Sequence, residues 1–241
     1  MASARSYFNF ASLTRWVRWV LYSQMLFAAI SLLSGYAEYQ LLADFQSGYY
    51  SSEQQATADA ESSDQRQQWL ARLYLLLLAF SAGLILSWIY QANNNARKRG
   101  ALQMEYTPGW AVGYFFIPVL TLWKPYQAMQ ELWKASKNPS DWVFQTTSAV
   151  LPLWWGLWLI SNFLGQLIFR SSVKAETIEQ LMNLNLIKQC SDLIDIPLAL
   201  TLLVIVNRIY AMQNSMLSAQ SEPLAAGAGR HSDSIPTELM D

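Results

Sequence analysis

The stretch that decides the fold runs from residue 88 to residue 136 and reads WIYQANNNARKRGALQMEYTPGWAVGYFFIPVLTLWKPYQAMQELWKAS. It begins at the end of an apolar run without charge, continues through three consecutive basic residues, and then becomes a short aromatic segment bounded by Pro108 and Pro125. Basic residues that directly follow an apolar run are typical of a membrane helix that emerges on the cytoplasmic side. This pattern therefore predicts a membrane environment and an orientation, but no activity.

The distribution of charge along the whole chain supports the same conclusion. Hydrophobic residues make up 53% of the 241 residues and charged residues only 14%. Soluble helices normally carry a polar face, whereas a bilayer core of roughly 30 Å requires about 20 mostly apolar residues in a helix. We therefore predict an all-α, polytopic membrane helical bundle, because four stretches contain no Asp, Glu, Lys or Arg: 19–37, 73–96, 106–123 and 142–169.

The apolar runs predict about four full transmembrane spans. The segment 106–123 is short for a crossing and contains Pro118, so we expect it to be re-entrant or interfacial. Within it, Gly109 and Gly113 form a GxxxG pair that could let two helices approach closely. The four predicted spans are 19–36, 73–90, 150–169 and 196–209.

Two further segments have patterns of their own. Pro125 opens an amphipathic helix that either lies in the membrane interface or packs against the protein itself. Residues 38–68 are polar and acidic, and we predict an extracytoplasmic helical hairpin with its turn at 47–52, where Gly48 allows one; a disordered loop is the alternative. Residues 1–212 are then one membrane-embedded domain, and 213–241 a disordered cytoplasmic tail.

Counts of Lys and Arg distinguish the two topologies. If 106–123 does not cross, eleven of these residues lie on the side of the N-terminus and five on the other side. If it does cross, the division falls to nine against seven. We therefore expect both termini to be cytoplasmic.

Few residues are suited to catalysis or metal binding. The only histidine, His231, lies in the predicted tail, and Cys190 is the only cysteine. No HExxH, GxSxG or phosphate-binding loop is present, so we expect neither an enzyme nor a cofactor. The net charge of −1 gives no reason to expect nucleic acid as a partner.

The best candidate for a polar ligand site is Asp195, with Asp192 three residues earlier and Asn162 on the preceding span. A carboxylate near or inside the hydrocarbon is costly and often functional, and two acids one turn apart could bind a cation or relay a proton. The alternative is structural: Asp195 would cap the last helix, with Pro197 tolerated in its first turn.

Two other groups of residues are weaker candidates. The basic cluster of Arg97, Lys98 and Arg99 could contact lipid phosphate, or it could serve only to set the topology. An aromatic group could line a pocket for a hydrophobic ligand, although packing and interface anchoring explain it as well. The aromatic candidates are Trp110, Trp123 and Tyr126.

Several phrases in this chain resemble the bacterial integral membrane proteins that carry the domain of unknown function numbered 4328. The resemblance rests on Thr107-Pro-Gly-Trp-Ala-Val-Gly113, Leu122-Trp-Lys-Pro-Tyr126, Glu131-Leu-Trp133 and Trp154-Trp155, and it covers roughly residues 73–213. Gln91 departs from it, since a cationic residue is common there in the family. The resemblance implies a bacterial inner-membrane protein and brings no activity or catalytic residue.

Together these observations favour a binding role over catalysis. We expect the protein to bind membrane lipids or to act as a partner or scaffold for another membrane protein, with a homo-oligomer as one form of partnership. The alternative is a small channel or a transporter-like protein that uses Asp195 and Asn162.

Overall fold

The computed structural model describes residues 2–228, and this part of the chain is built from helices without any strand. The all-α fold predicted from the sequence is therefore confirmed. Two short 3-10 turns, Leu120–Leu122 and Pro139–Phe144, connect the later helices. The α-helices in chain order are α1 (Ala2–Ser47), α2 (Glu53–Lys98), α3 (Pro108–Gly113), α4 (Lys124–Lys137), α5 (Val150–Ser172) and α6 (Ile178–Ala228).

Among the described residues, four helices are long and apolar enough to cross a membrane: α1, α2, α5 and α6. The predicted number of spans is confirmed, and the chain is a multi-pass membrane protein. Many large apolar side chains on these helices point away from the protein, which suits contact with lipid tails. The exposed residues include Leu26, Leu33, Leu76, Phe80 and Phe163.

The segment 106–123 does not form a fifth span, because α3 has only six residues. Thr107 caps α3 by accepting a hydrogen bond from the Trp110 amide at 3.3 Å, and Pro108 occupies its first turn, where its missing N–H costs nothing. The chain then follows an irregular path in which Val119 has a φ of +69°, a conformation that β-branched residues rarely adopt. The predicted close helix approach at Gly109 and Gly113 is not seen: open space surrounds Gly109, and only Trp110 of the same helix lies near Gly113.

Helices α1 and α2 form a long antiparallel hairpin. Gly48, with a φ of +71°, starts the turn between Ser47 and Glu53, inside the predicted turn region 47–52. Each helix has 46 residues, which corresponds to about 70 Å at 1.5 Å per residue. Since this is more than twice the thickness of a bilayer core, roughly 30 Å, the hairpin extends beyond the membrane.

Helix α6 differs from the prediction. One continuous helix covers Ile178–Ala228, where the structural alternative from the sequence was a last helix that begins with a cap at Asp195. Asp195 is therefore an interior residue and not an N-cap. The helix also continues past residue 213, the predicted start of the tail: Gln213 is buried and donates hydrogen bonds to the Ala92 carbonyl and the Ser136 hydroxyl. The predicted disorder of 229–241 concerns residues outside the described part.

The helices pack in the order α2, α1, α6, α5, with α1 and α6 in the centre. The buried core lies where the start of α1, the end of α2 and the second half of α6 meet α4. Met129 and Leu132 of α4 are each 1% exposed. Helix α4 therefore packs its apolar face against the protein, which was one of the two alternatives predicted for it.

Candidate functional site

A cleft of about 870 Å³ lies between α2 and α5. These two outer helices pack on α1 and α6 respectively, so α1 and α6 form the floor of the cleft while α2 and α5 form its walls. Phe116 and Phe169, both 71% exposed, stand at its rim. The cleft is thus open to the surroundings of the protein, and for spanning helices those surroundings are lipid.

The two ends of the cleft differ in chemistry. On α6 the lining begins with Asp192 and Asp195 and ends with Leu202. The antiparallel α5 contributes apolar Trp154 and Trp158 at the same end as Leu202. Polar residues that line the opposite half include Tyr74, Gln166 and Arg170. The cleft is therefore amphiphilic along its length.

The two carboxylates hold α6 to both of its neighbours. Asp192 accepts a hydrogen bond from the Ser31 hydroxyl of α1 at 2.6 Å, and Asp195 accepts one from the Ser161 hydroxyl of α5 at 2.7 Å. Ser161 lies near the middle of the charge-free run of α5. Because Asp195 is at the same level, it lies at the depth of the hydrocarbon, where a carboxylate is costly.

Within residues 10–215, neither carboxylate forms an ion pair. The ion pair in this range joins Lys124 and Glu105 at 3.4 Å, and neither of these residues lines the cleft. No group of three or more His, Cys, Asp or Glu that could hold a metal ion comes together in the same range. Each carboxylate could accept about four hydrogen bonds. In the described part of the chain, one side chain, a serine hydroxyl, donates to each of them.

Asn162 also lines the cleft, but it is exposed and donates to the Trp158 carbonyl at 2.7 Å, one turn earlier on its own helix. The structure thus places all three predicted polar residues at one cavity. It brings Asp195 together with Ser161, the residue next to Asn162, and not with Asn162 itself.

The predicted aromatic residues do not surround one pocket, and none of the three lines the cleft. Tyr126 stacks on Trp155 at 6.1 Å between ring centroids, and Trp155 in turn stacks on Trp158 at 4.5 Å. Trp110 contacts Tyr114, and Trp123 is 40% exposed. Of this group only Tyr126 connects to the cleft, through the wall residue Trp158.

The basic cluster is divided between two environments. Arg97 donates to the carbonyls of Met104 and Tyr106 at 2.8 and 3.0 Å, so its guanidinium holds the loop after α2 in place. This arrangement does not support a contact between Arg97 and lipid phosphate. Lys98 is exposed and Arg99 partly exposed, and for these two residues the phosphate contact stays a prediction.

A second polar cluster, which we call the loop clamp, joins this loop to α4 through Arg97, Glu131, Tyr106 and Lys124. The Glu131 carboxylate, 5% exposed, accepts hydrogen bonds from the backbone amides of Glu105 and Tyr106. Burial raises the pKa of Glu131, while the two amide donors and the charge of Arg97 act in the opposite direction. Burial also raises the pKa of Tyr106, so its phenol stays protonated at neutral pH and donates to Gln127 at 2.8 Å.

Sequence reasoning missed several residues of the cleft. In the sequence, Ser31, Tyr74 and Ser161 are not distinguished from other residues of the apolar runs. A serine in a membrane run is a weak signal by itself, because its hydroxyl can bond to its own helix. Only the packing of three helices identifies these serines as partners of the carboxylates.

These observations define the class: a multi-pass helical membrane protein with a lateral amphiphilic cleft. Residues 51–211 match the family described as "Domain of unknown function (DUF4328)", and the chain belongs to this family. The resemblance found in the sequence is thereby confirmed. No curated protein and no solved structure matches the chain significantly.

Proposed function

We propose that this protein binds a membrane lipid or a similar amphiphile in the cleft between α2 and α5. The observation that carries the proposal is the cleft itself: about 870 Å³, open at the side of a spanning bundle, apolar at one end and polar at the other. Sites for small molecules commonly have this size and a mostly apolar lining with few polar groups. Such a cavity, facing hydrocarbon, suits a molecule with a tail and a polar head.

The proposal assigns each end of the ligand to a region of the cleft. The tail lies against Trp154, Trp158 and Leu202, in the half of the cleft where most of the lining side chains are apolar. The head lies at the level of Asp192 and Asp195. We further propose a non-enzymatic role in the bacterial inner membrane with both termini cytoplasmic, supported by the excess of basic residues on that side.

The test uses Gly165, which lines the cleft and has open space where a Cβ would stand. A Gly165→Trp side chain should fill the cleft without a clash in the fold. Gly83 is a matched control, because it also lies in a spanning helix with open space around it but does not line the cleft. The readout is native mass spectrometry of each variant, released gently from the same membrane.

We expect the wild type and Gly83→Trp to retain a lipid adduct, and Gly165→Trp to lose most of it. Gly165→Leu, with a smaller side chain, should lose less. Equal retention by all four proteins, or no adduct on any of them, would refute the proposal.

The alternative, an ion channel or transporter, finds less support. Selective conduction requires polar or charged groups along the path, and the inner half of the cleft is lined by Leu21, Ile89 and Leu202 in addition to its aromatic residues. Ion flux into proteoliposomes that disappears in Asp195→Asn would reverse this preference.

A further inference from the structure

We propose that the ligand of the cleft is a cationic amphiphile, a hydrocarbon chain that carries an amine protonated at neutral pH. This inference rests on the proposed function and specifies its ligand class. The residues at the polar end of the cleft determine which charge the head group of the ligand can carry. Three separate observations support a positive charge.

The first observation is the uncompensated charge. Asp192 and Asp195 lie three residues apart on α6 and therefore on the same face, and both line the cleft. Each accepts a hydrogen bond from one serine, and neither forms an ion pair in the described part of the chain. The charge of Lys188, one turn before Asp192, acts on this carboxylate, but the two side chains form no ion pair. Charges removed from water are normally paired, and an ammonium between the two half-buried carboxylates would supply a direct partner.

The second observation is the pair of aromatic rings at the same level. Phe27 of α1 and Tyr74 of α2 line the cleft, and their ring centroids lie 6.0 Å apart with planes inclined by 33°. The face of an aromatic ring attracts a cation. Carboxylates combined with aromatic faces are suited to an ammonium group and would disfavour an anionic head.

The third observation is the position of the one arginine that lines the cleft. Arg170 follows Ser161 by nine residues on α5, about 13 Å along the helix axis, and Ser161 marks the level of Asp195. Arg170 is therefore displaced from Asp195 toward the end of α5. This separation leaves Asp195 without a counter-charge from Arg170, and in the described part of the chain Arg170 forms no ion pair with Asp192 either.

The experiment measures binding of radiolabelled decylamine to the full chain in nanodiscs of a neutral lipid, corrected for empty nanodiscs. Unlabelled decylamine, decan-1-ol and decanoate compete; they share a chain length and differ in the charge of the head. We expect decylamine to compete about tenfold or more better than decan-1-ol, the effect of one charge-assisted hydrogen bond, and decanoate to be the weakest.

Asp192→Asn/Asp195→Asn should abolish the preference for decylamine, and Lys174→Gln, at an exposed lysine that does not line the cleft, should keep it. The substitutions preserve side-chain shape, and Asp195→Asn alone provides a milder variant if the double one does not fold. Equal competition by decylamine and decan-1-ol in the wild type, or a preference that survives in the double variant, would overturn the inference.

Two further competitors identify the form of the cation. Ethanolamine has no tail, and competition by it at decylamine concentrations would overturn the assignment to an amphiphile. Lyso-phosphatidylethanolamine carries its ammonium beyond a phosphate. If the protein prefers it to decylamine and this preference depends on the two aspartates, the ligand is an aminophospholipid. If the protein prefers decylamine, the ligand is a simple long-chain amine. If adducts are lost in Gly165→Trp but head charge has no effect, only this inference fails. If adducts never form, the proposed function fails as well.

Discussion

The loop clamp contains a buried carboxylate and the cleft two half-buried ones, and the protein satisfies their hydrogen bonds differently. Glu131 in the loop clamp accepts from two backbone amides of one loop, and Arg97 donates to two carbonyls of the same loop. Asp192 and Asp195 in the cleft accept from one serine each and face an open cavity. In the loop clamp, these polar groups are paired with other groups of the protein. In the cleft, the two carboxylates can still accept further hydrogen bonds. This difference is why we assign structure to the loop clamp and ligand binding to the cleft.

The largest effect on stability should come from Glu131→Ala. The substitution leaves the amides of Glu105 and Tyr106 without an acceptor in a buried region, at about 1–3 kcal/mol for each unsatisfied group. Unfolding in detergent, followed by tryptophan fluorescence, should show a clearly less stable protein. Lys134→Ala on the same helix is the control and should behave like the wild type; if the two variants were equally stable, the loop clamp would have no structural role.

A smaller effect is expected from Thr14→Val, which tests another satisfied polar contact of the core near the loop clamp. The Thr14 hydroxyl accepts a hydrogen bond from the indole N–H of the fully buried Trp88 at 2.9 Å. Valine keeps the shape but removes the acceptor, and we expect a loss of about 1–3 kcal/mol in the free energy of unfolding. The same denaturation measurement applies, with Thr57→Val on the exposed part of the hairpin as the control. An unchanged stability would mean that water or another group replaces the acceptor.

The smallest effect on stability should come from Asp195→Asn, although its effect on ligand binding is among the largest. The amide keeps an oxygen that can accept from Ser161, and the change removes a charge that is costly at this depth. We expect the free energy of unfolding to stay within about 1 kcal/mol of the wild type or to increase. A loss as large as that of Glu131→Ala would contradict the contrast between the two regions, because Asp195 would then be a structural residue.

The sequence predicts much of the fold because charge is such a strong signal in a bilayer. The charge-free runs indicated three of the four spans, and Gly48 indicated the turn of the hairpin; the fourth charge-free run, 106–123, forms no span, and the last span lies between Asp195 and Arg208. The continuity of α6 was not predictable in the same way: Asp195 followed by Pro197 has the local pattern of a helix start, and the hydrogen bond that Asp195 accepts from Ser161 of α5 becomes visible only in the packed structure. The role of Arg97 was hidden for a similar reason: besides the Asn93 side chain one turn earlier, it binds the backbone carbonyls of Met104 and Tyr106, which a pattern of side chains does not reveal.

The cleft itself was beyond sequence reasoning. Its existence depends on α2 and α5 packing against α1 and α6 and not against each other. That arrangement depends on how the helices pack together, and the sequence of any single helix does not reveal it. The sequence identified Asp192, Asp195 and Asn162 as unusual residues. It did not show that these three residues line one cavity.

The most direct test of ligand binding in the cleft is an experimental structure of the protein isolated together with its own membrane lipids. We expect elongated density in the cleft, with its tail against Trp154 and Trp158 and its head at Asp192 and Asp195. A cleft that is closed by contact between α2 and α5, or filled by a helix of a second chain, would contradict it.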